Sequence, residues 1–158
     1  MEQFSVKPIG KVCVDTSGMR IELKKEFIPA LKNLGDFGYI NVLWWCHQSD
    51  NPGSRSKLIE KSPYKNSPAA LGIFATRSPE RPNPIALTCS YVTYMDCEKG
   101  IIGLAFIDAE DGTPVIDIKP YTPSLDRVEN PIVPQWCANW PKDVEASGSF
   151  DWSGVFNF

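Results

Sequence analysis

The chain has 158 residues, of which 42% are hydrophobic and 22% charged, and its formal net charge is −3. That length suits a single domain with a sizeable core, and the acidic balance excludes a broadly basic nucleic-acid binder. MEQFSVKPIGKVCVD has no apolar core segment of the kind a signal peptide needs, and the strongest apolar run, VLWWC (42–46), is far shorter than a membrane span. A soluble, cytoplasmic protein is expected.

In chain order, FSVKPIGKVCV (4–14) and MRIELKKEF (19–27) alternate as strands do, joined by the turn Asp15-Thr16-Ser17-Gly18. IPALKNLGDF (28–37) places Ile28, Leu31 and Leu34 at helical spacing with Gly35 as a stop, which predicts one short helix. YINVLWWCH (39–47) is rich in aromatic and β-branched residues and reads as a buried strand. A long polar connection follows over 48–70, of a length usually functional or disordered. Strand signals resume at GIFAT (72–76) and continue in IALTCSYVTYM (85–95), whose Ile85, Leu87, Cys89 and Tyr91 share one face at period two. GIIGLAFID (100–108) and VIDIKPY (115–121) are further strands about the turn DGTP (111–114), with Asp117 and Lys119 opposite Ile116 and Ile118. Residues 122–158 are proline-rich and irregular; Trp136, Trp140, Phe150, Trp152, Phe156 and Phe158 are expected to pack over the barrel or a partner subunit.

Six or seven short strands with one brief helix and no β-α-β rhythm predict an all-β fold, a small barrel with an irregular C-terminal tail. No G-x-G-x-x-G stands at a strand–helix junction, so a Rossmann site is not expected. Five cysteines (Cys13, Cys46, Cys89, Cys97, Cys137) are odd in number and widely spaced, without a C-x-x-C pair. They form neither a disulfide framework nor a zinc knuckle and read as small apolar residues. With one histidine, no metal site is expected.

Three polar segments stand at strand ends. In ATRSPERPNP (75–84), Pro79, Pro82 and Pro84 exclude helix and central strand, so Arg77, Arg81 and Asn83 sit on a stiff loop in nearly fixed directions. Residues 51–85 hold six bases against two acids, a local surplus of +4. Stiff and basic suits an anion or nucleotide, though a solvated connection reads the same way. WWCHQSD (44–50) carries His47, and a lone histidine after an apolar strand is more often a satisfied cap than a catalyst. In DAEDGTPVIDIKPY (108–121), Asp108, Glu110, Asp111 and Asp117 surround a turn that such residues also favour without function.

GIFATRSPERPNPIAL (72–87) and DGTPVIDIKPYTP (111–123) together resemble the two signature motifs of the TsaA-like, or TrmO-type, methyltransferases. WWCHQ is similar to that family's His-Gln at the end of a buried strand, and PIGKV (8–12) to its opening strand. The resemblance covers roughly residues 6–126, leaving 127–158 as a packing tail of one domain over 1–158. It implies a β-barrel that binds S-adenosylmethionine, a homodimer with pockets at the subunit interface, and methylation of the exocyclic amine of threonylcarbamoyl-adenosine beside the anticodon of tRNA. By motif, His47, Gln48, Arg77, Leu87, Asp108, Ala109, Glu110 and Asp111 would contact the cofactor. Arg81, Asn83, Lys119 and Tyr121 would line the cleft nearer the acceptor, and Asp117 or His47 would hold the acceptor's proton. The chain departs from the family in VDTSGMR (14–20), which lacks a Pro-Arg-Gln triplet, and in Ala86 and Thr88, where glycine and serine are usual. A small-molecule acceptor, or a non-catalytic S-adenosylmethionine-binding dimeric module, is the alternative.

Overall fold

The computed structural model describes residues 4–157. Its strands in chain order are β1 (Gly10–Asp15), β2 (Gly18–Leu23), β3 (Tyr39–Trp45), β4 (Ile59–Lys61), β5 (Ala70–Gly72), β6 (Ile85–Asp96), β7 (Ile101–Leu104) and β8 (Pro114–Pro120). Six of them close into an antiparallel barrel in the order β1-β2-β7-β6-β3-β8, while β4 and β5 pair with each other. The mainly β barrel expected from the period-two alternation is therefore what forms. The chain divides into two compact units: one comprises the barrel, with the chain up to Gln48 and Pro84–Asp126, the other Ser49–Asn83 and the chain from Arg127 onward.

Closing a sheet requires every strand to send one set of side chains inward. Val12, Ile21, Ile40, Val42, Ile102 and Val115 do so and are wholly buried. Leu31, from the β2–β3 connection, and Ile107, from the β7–β8 connection, complete this core from opposite ends. Each such side chain stabilises the fold by about 1.5–3 kcal/mol relative to exposure. Antiparallel winding gives the barrel two rims. At the first meet the β1–β2 turn, the end of β3, the start of β6 and the 105–113 connection into β8. At the second meet the 24–38 connection, the start of β3 and the end of β8.

The β1–β2 turn forms where the sequence predicts it. The Asp15 carboxylate accepts the Ser17 N–H at 2.8 Å and pairs with Arg20 at 2.6 Å. The hydrogen bonds from Ser17, then Arg20, hold its carboxyl well below the usual carboxylate range, at about 2. A lowered folded value means that its contribution is complete above the ordinary value of 3.8 and fades as pH falls from there towards 2. Carboxyl titration followed by NMR should find Asp15 ionised well below pH 3.8, and Arg20→Ala should raise it only part of the way towards the ordinary range, because the Ser17 bonds remain; an Asp15 that titrates normally in the parent would refute the pairing.

Several local expectations differ: β4 lies within the stretch read as a polar connection, and GIIGLAFID is a strand only through Leu104. The helix expected over 28–37 is a pair of 3-10 turns, Lys25–Leu31 and Leu34–Asp36. Pro29 removes a donor inside the first, and Asn33, at φ 64°, breaks the chain between them. GIFAT contributes only its glycine to β5 before turning into a 3-10 turn, Ile73–Ala75.

In the second unit, the Asn51 side chain accepts the Ser54 N–H at 3.0 Å and starts a single helical turn, Pro52–Arg55. The tail's aromatic residues assemble around Tyr64: Trp136 stacks on it at 5.3 Å and Trp140 meets it edge-on at 5.1 Å, with Phe156 at 5.7 Å. Trp152 joins through Trp140, and Phe150 through Trp152. Phe158 lies outside the described residues.

Candidate functional site

The barrel's first rim collects polar groups from distant parts of the chain. β3 ends at Trp45, the buried Cys46 donates its N–H to the Pro84 carbonyl at 2.7 Å, and His47 and Gln48 emerge exposed. The Gln48 amide donates to the Glu110 carboxylate, joining the end of β3 to the loop before β8. That loop is held from β1: Asp111 Oδ1 accepts the Val14 N–H at 2.9 Å, and the Gly112 N–H donates to the Val12 carbonyl at 2.9 Å. Asp111 thus has a defined structural task, leaving Asp108 and Glu110 as exposed carboxylates. Ala109 packs against the barrel core.

Leu87 stands on the outward face of β6, opposite Leu43, and is 48% exposed. Ile85 faces outward beside Trp45, and Tyr91 beside Tyr39. The face read from sequence at Ile85, Leu87, Cys89 and Tyr91 is real, and it is the outer one. The barrel interior is lined instead by the alternating, smaller set: Ser90 is buried, and Thr88 accepts the Trp44 indole N–H at 3.0 Å.

Asp117 lies opposite Leu43 and Lys119 opposite Asn41, while the Tyr121 N–H donates to the Tyr39 carbonyl at 3.0 Å. Both Asp117 oxygens are engaged: Oδ1 accepts the Ile118 N–H at 2.9 Å and Oδ2 pairs with Lys119 Nζ at 2.7 Å. That bond raises the Lys119 ammonium above its ordinary value. Tyr39 and Trp45 are the two ends of β3, seven residues, or roughly 20 Å at about 3.3 Å per residue. Within one barrel, therefore, Lys119 and Tyr121 flank the second rim, while His47, Gln48, Asp108 and Glu110 occupy the first. A hollow of about 490 Å³, lined mainly by apolar residues including Leu23, Phe27, Leu34 and Phe37, also opens at the second rim. Lys32, Asn33 and Asp117 complete that lining.

In the second unit, the proline loop is built from its own charges. Arg81 Nη2 donates to the Ile73 and Thr76 carbonyls, both at 3.1 Å. Lys57 bridges Glu60 at 2.7 Å and Glu80 at 2.5 Å, and Arg55 donates to the Pro82 carbonyl at 3.2 Å. Lys57 is raised by these bonds, chiefly that to Glu60, and Glu80 is lowered by Lys57. Arg77 and Asn83 are exposed. The stiffness predicted from three prolines is thus reinforced by side chains, among them Arg81, which the resemblance assigns to the cleft. Trp45 and Ile85, which the sequence motifs do not single out for the site, sit outward beside each other at the first rim.

Among the described residues no group of three or more metal-ligating side chains comes together, and no helix is long and apolar enough to cross a membrane. The family model for the tRNA-methyltransferase O N-terminal domain matches residues 2–127. A probable S-adenosyl-L-methionine-binding protein of Pyrococcus horikoshii is 36% identical over 79% of this chain and 88% of its own. The tRNA (adenine(37)-N6)-methyltransferase of Escherichia coli is 38% identical over 63% of this chain and 42% of its own. The crystal structure of TrmO from Pseudomonas aeruginosa superposes with a TM-score of 0.63 at 28% identity, over 83% of this chain and 62% of that one. The chain thus spans less than two thirds of that solved protein and under half of the Escherichia coli enzyme. With a match that runs through both sequence motifs and the whole barrel, the chain belongs to the tRNA-methyltransferase O N-terminal domain family.

Proposed function

We propose that the chain binds S-adenosylmethionine at the first rim and, as a cytoplasmic homodimer, transfers its methyl group to the exocyclic amine of a modified adenosine beside the tRNA anticodon. The observation that carries the reading is the meeting of Gln48 with Glu110, which sets an amide, an imidazole and carboxylates on one rim. That donor set fits the cofactor: Glu110 and Asp108 accept from ribose hydroxyls or the ammonium, Gln48 and His47 supply fixed polar groups, and Leu87, Ile85 and Trp45 offer an apolar wall. When bound, the cofactor supplies an electrophilic methyl carbon on a sulfonium. The protein's part is to orient the two reactants and exclude water, since in-line displacement depends mainly on positioning. The adenine amine is a weak nucleophile, its lone pair delocalised into the ring. His47 or Asp117 takes its proton as the new bond forms.

The two-rim arrangement gives the dimer a purpose. The outer face of β3, β6 and β8 presents the exposed Ile85, Leu87 and Tyr91 with the half-buried Leu43 and Trp45, bordered by the Asp117–Lys119 pair. An isologous contact across it, with the two-fold axis running across the strands, sets the second rim of one copy against the first rim of the other. The partner's Lys119 and the partner's Tyr121 then complete the cleft at His47.

Calorimetric titration with S-adenosylmethionine tests the reading. Micromolar affinity, about 8 kcal/mol, is expected in the parent and at least tenfold weaker binding in Glu110→Ala; a parent that does not bind overturns it. Labelled methyl transfer into threonine tRNA is then expected, falling at least a hundredfold in the variant that lacks the proton acceptor, whether His47→Ala or Asp117→Asn. Binding without transfer to RNA favours the second reading, a small-molecule acceptor or a binding module. The engagement of Arg55, Lys57 and Arg81 within their own loop, which removes them from phosphate contact, supports that alternative.

A further inference from the structure

The 49–83 segment has little regular structure to hold it. Its hairpin consists of β4 and β5, three residues each, and a two-stranded hairpin alone is marginal in water. The connecting loop also holds Ser62 at φ 42°, a backbone state that persists only where the surroundings impose it. The far end of the chain bonds to that turn. The Lys65 N–H donates to the Val155 carbonyl at 2.8 Å, and the Asn157 N–H donates to the Pro63 carbonyl at 3.2 Å. The Asn157 side-chain amide reaches the Ser62 carbonyl at 2.8 Å. Between these bonds Tyr64, only 9% exposed, is gripped by Trp136 and Trp140.

From the gripped loop a continuous set of bonds leads to the proline loop. Lys61 to Ile59 pair with Ala70 to Gly72, the Ile73 N–H donates to the Leu58 carbonyl at 2.9 Å, and the Ile73 carbonyl accepts from Arg81. The family model ends at residue 127, so the gripping segment lies outside it.

We propose that residues 135–157 are a clamp on the 62–64 turn, and that Trp136 and Trp140 are positioning residues that fix Arg81 and the proline loop before any ligand arrives. A loop ordered in advance has less conformational entropy left to lose on meeting a ligand.

The test uses the full chain as parent, Trp140→Ala and Trp140→Phe, with trypsin in the absence of ligand. Cleavage after Lys61, Lys65 and Arg77 is expected at least tenfold faster in Trp140→Ala and near the parental rate in Trp140→Phe. Cleavage after Lys11 and Lys24, in the barrel unit, is expected to stay within twofold in all three. Equal rates in the segment, or all sites rising together, would overturn the clamp.

Discussion

Gly10→Ala is expected to destabilise the barrel by about 3 kcal/mol, the upper part of the usual overpacking range, and to lower the unfolding midpoint by roughly 6–12 °C. A Cβ at Gly10 would stand 2.4 Å from the Glu22 carbonyl oxygen and 3.0 Å from the Leu23 Cα. Those atoms are backbone, paired to β1 in the register Gly10↔Leu23, so no side-chain rotation relieves the clash. The same residue pairs with Val115 where β1 meets β8, a junction of two residue pairs that closes the barrel. Moving β1 off β2 therefore also strains the closure. Gly72→Ala is the control: nothing lies within 4 Å of its Cβ, and its φ is −60°. It is expected to be neutral, or stabilising by a few tenths of a kcal/mol. Thermal unfolding followed by circular dichroism compares the two; a Gly10→Ala protein that melts within 2 °C of the parent would refute the close approach of β1 and β2.

The barrel was legible because closure forces alternation, and alternation is written in β1, β2, β3 and β8 one residue at a time. What alternation does not encode is which face is inside. On β6 the set that shares a face at period two includes the bulky Ile85, Leu87 and Tyr91, and it points outward. A six-stranded barrel has a narrow interior, which takes Ser90 and Thr88 from β6 beside the branched residues of other strands. The 3-10 turns were hidden because Leu31 and Leu34 fit helical spacing, while Pro29 and Asn33 decide the hydrogen bonding locally. The second unit was illegible for a different reason. Its cohesion comes from Tyr64 meeting Trp136, Trp140 and Phe156, contacts that join segments far apart in sequence and leave no periodic trace.

The site was legible as motifs but not as geometry. His47, Gln48 and the 108–111 run were singled out at strand ends, and Gln48 and Glu110 do meet. Lys119 and Tyr121 come from the same motif as Asp117, yet the length of β3 separates them from the first rim. A motif read along the chain says that residues act together. Only register says whether they do so within one copy.

Separation of the two rims makes the quaternary prediction sharp. Leu87→Glu is expected to leave the barrel folded, because residue 87 points outward, and to convert a dimer into monomers at micromolar concentration. In an isologous interface the change enters twice, and each unpaired charge buried there costs a few kcal/mol, so dissociation tightens against assembly by about 4 kcal/mol, roughly a thousandfold. Sedimentation of parent and variant reads this directly, and a monomeric parent ends the dimer reading. Shared sites are tested separately by mixing His47→Ala with Lys119→Ala after each is dissociated. If each site takes His47 from one chain and Lys119 from the other, every mixed dimer regains one intact site. Random reassociation then restores about a quarter of the parental methyl transfer. If both residues serve a site within one chain, the mixed dimer has none intact, and mixing restores nothing. In that case the distance along β3 must be spanned by the substrate itself.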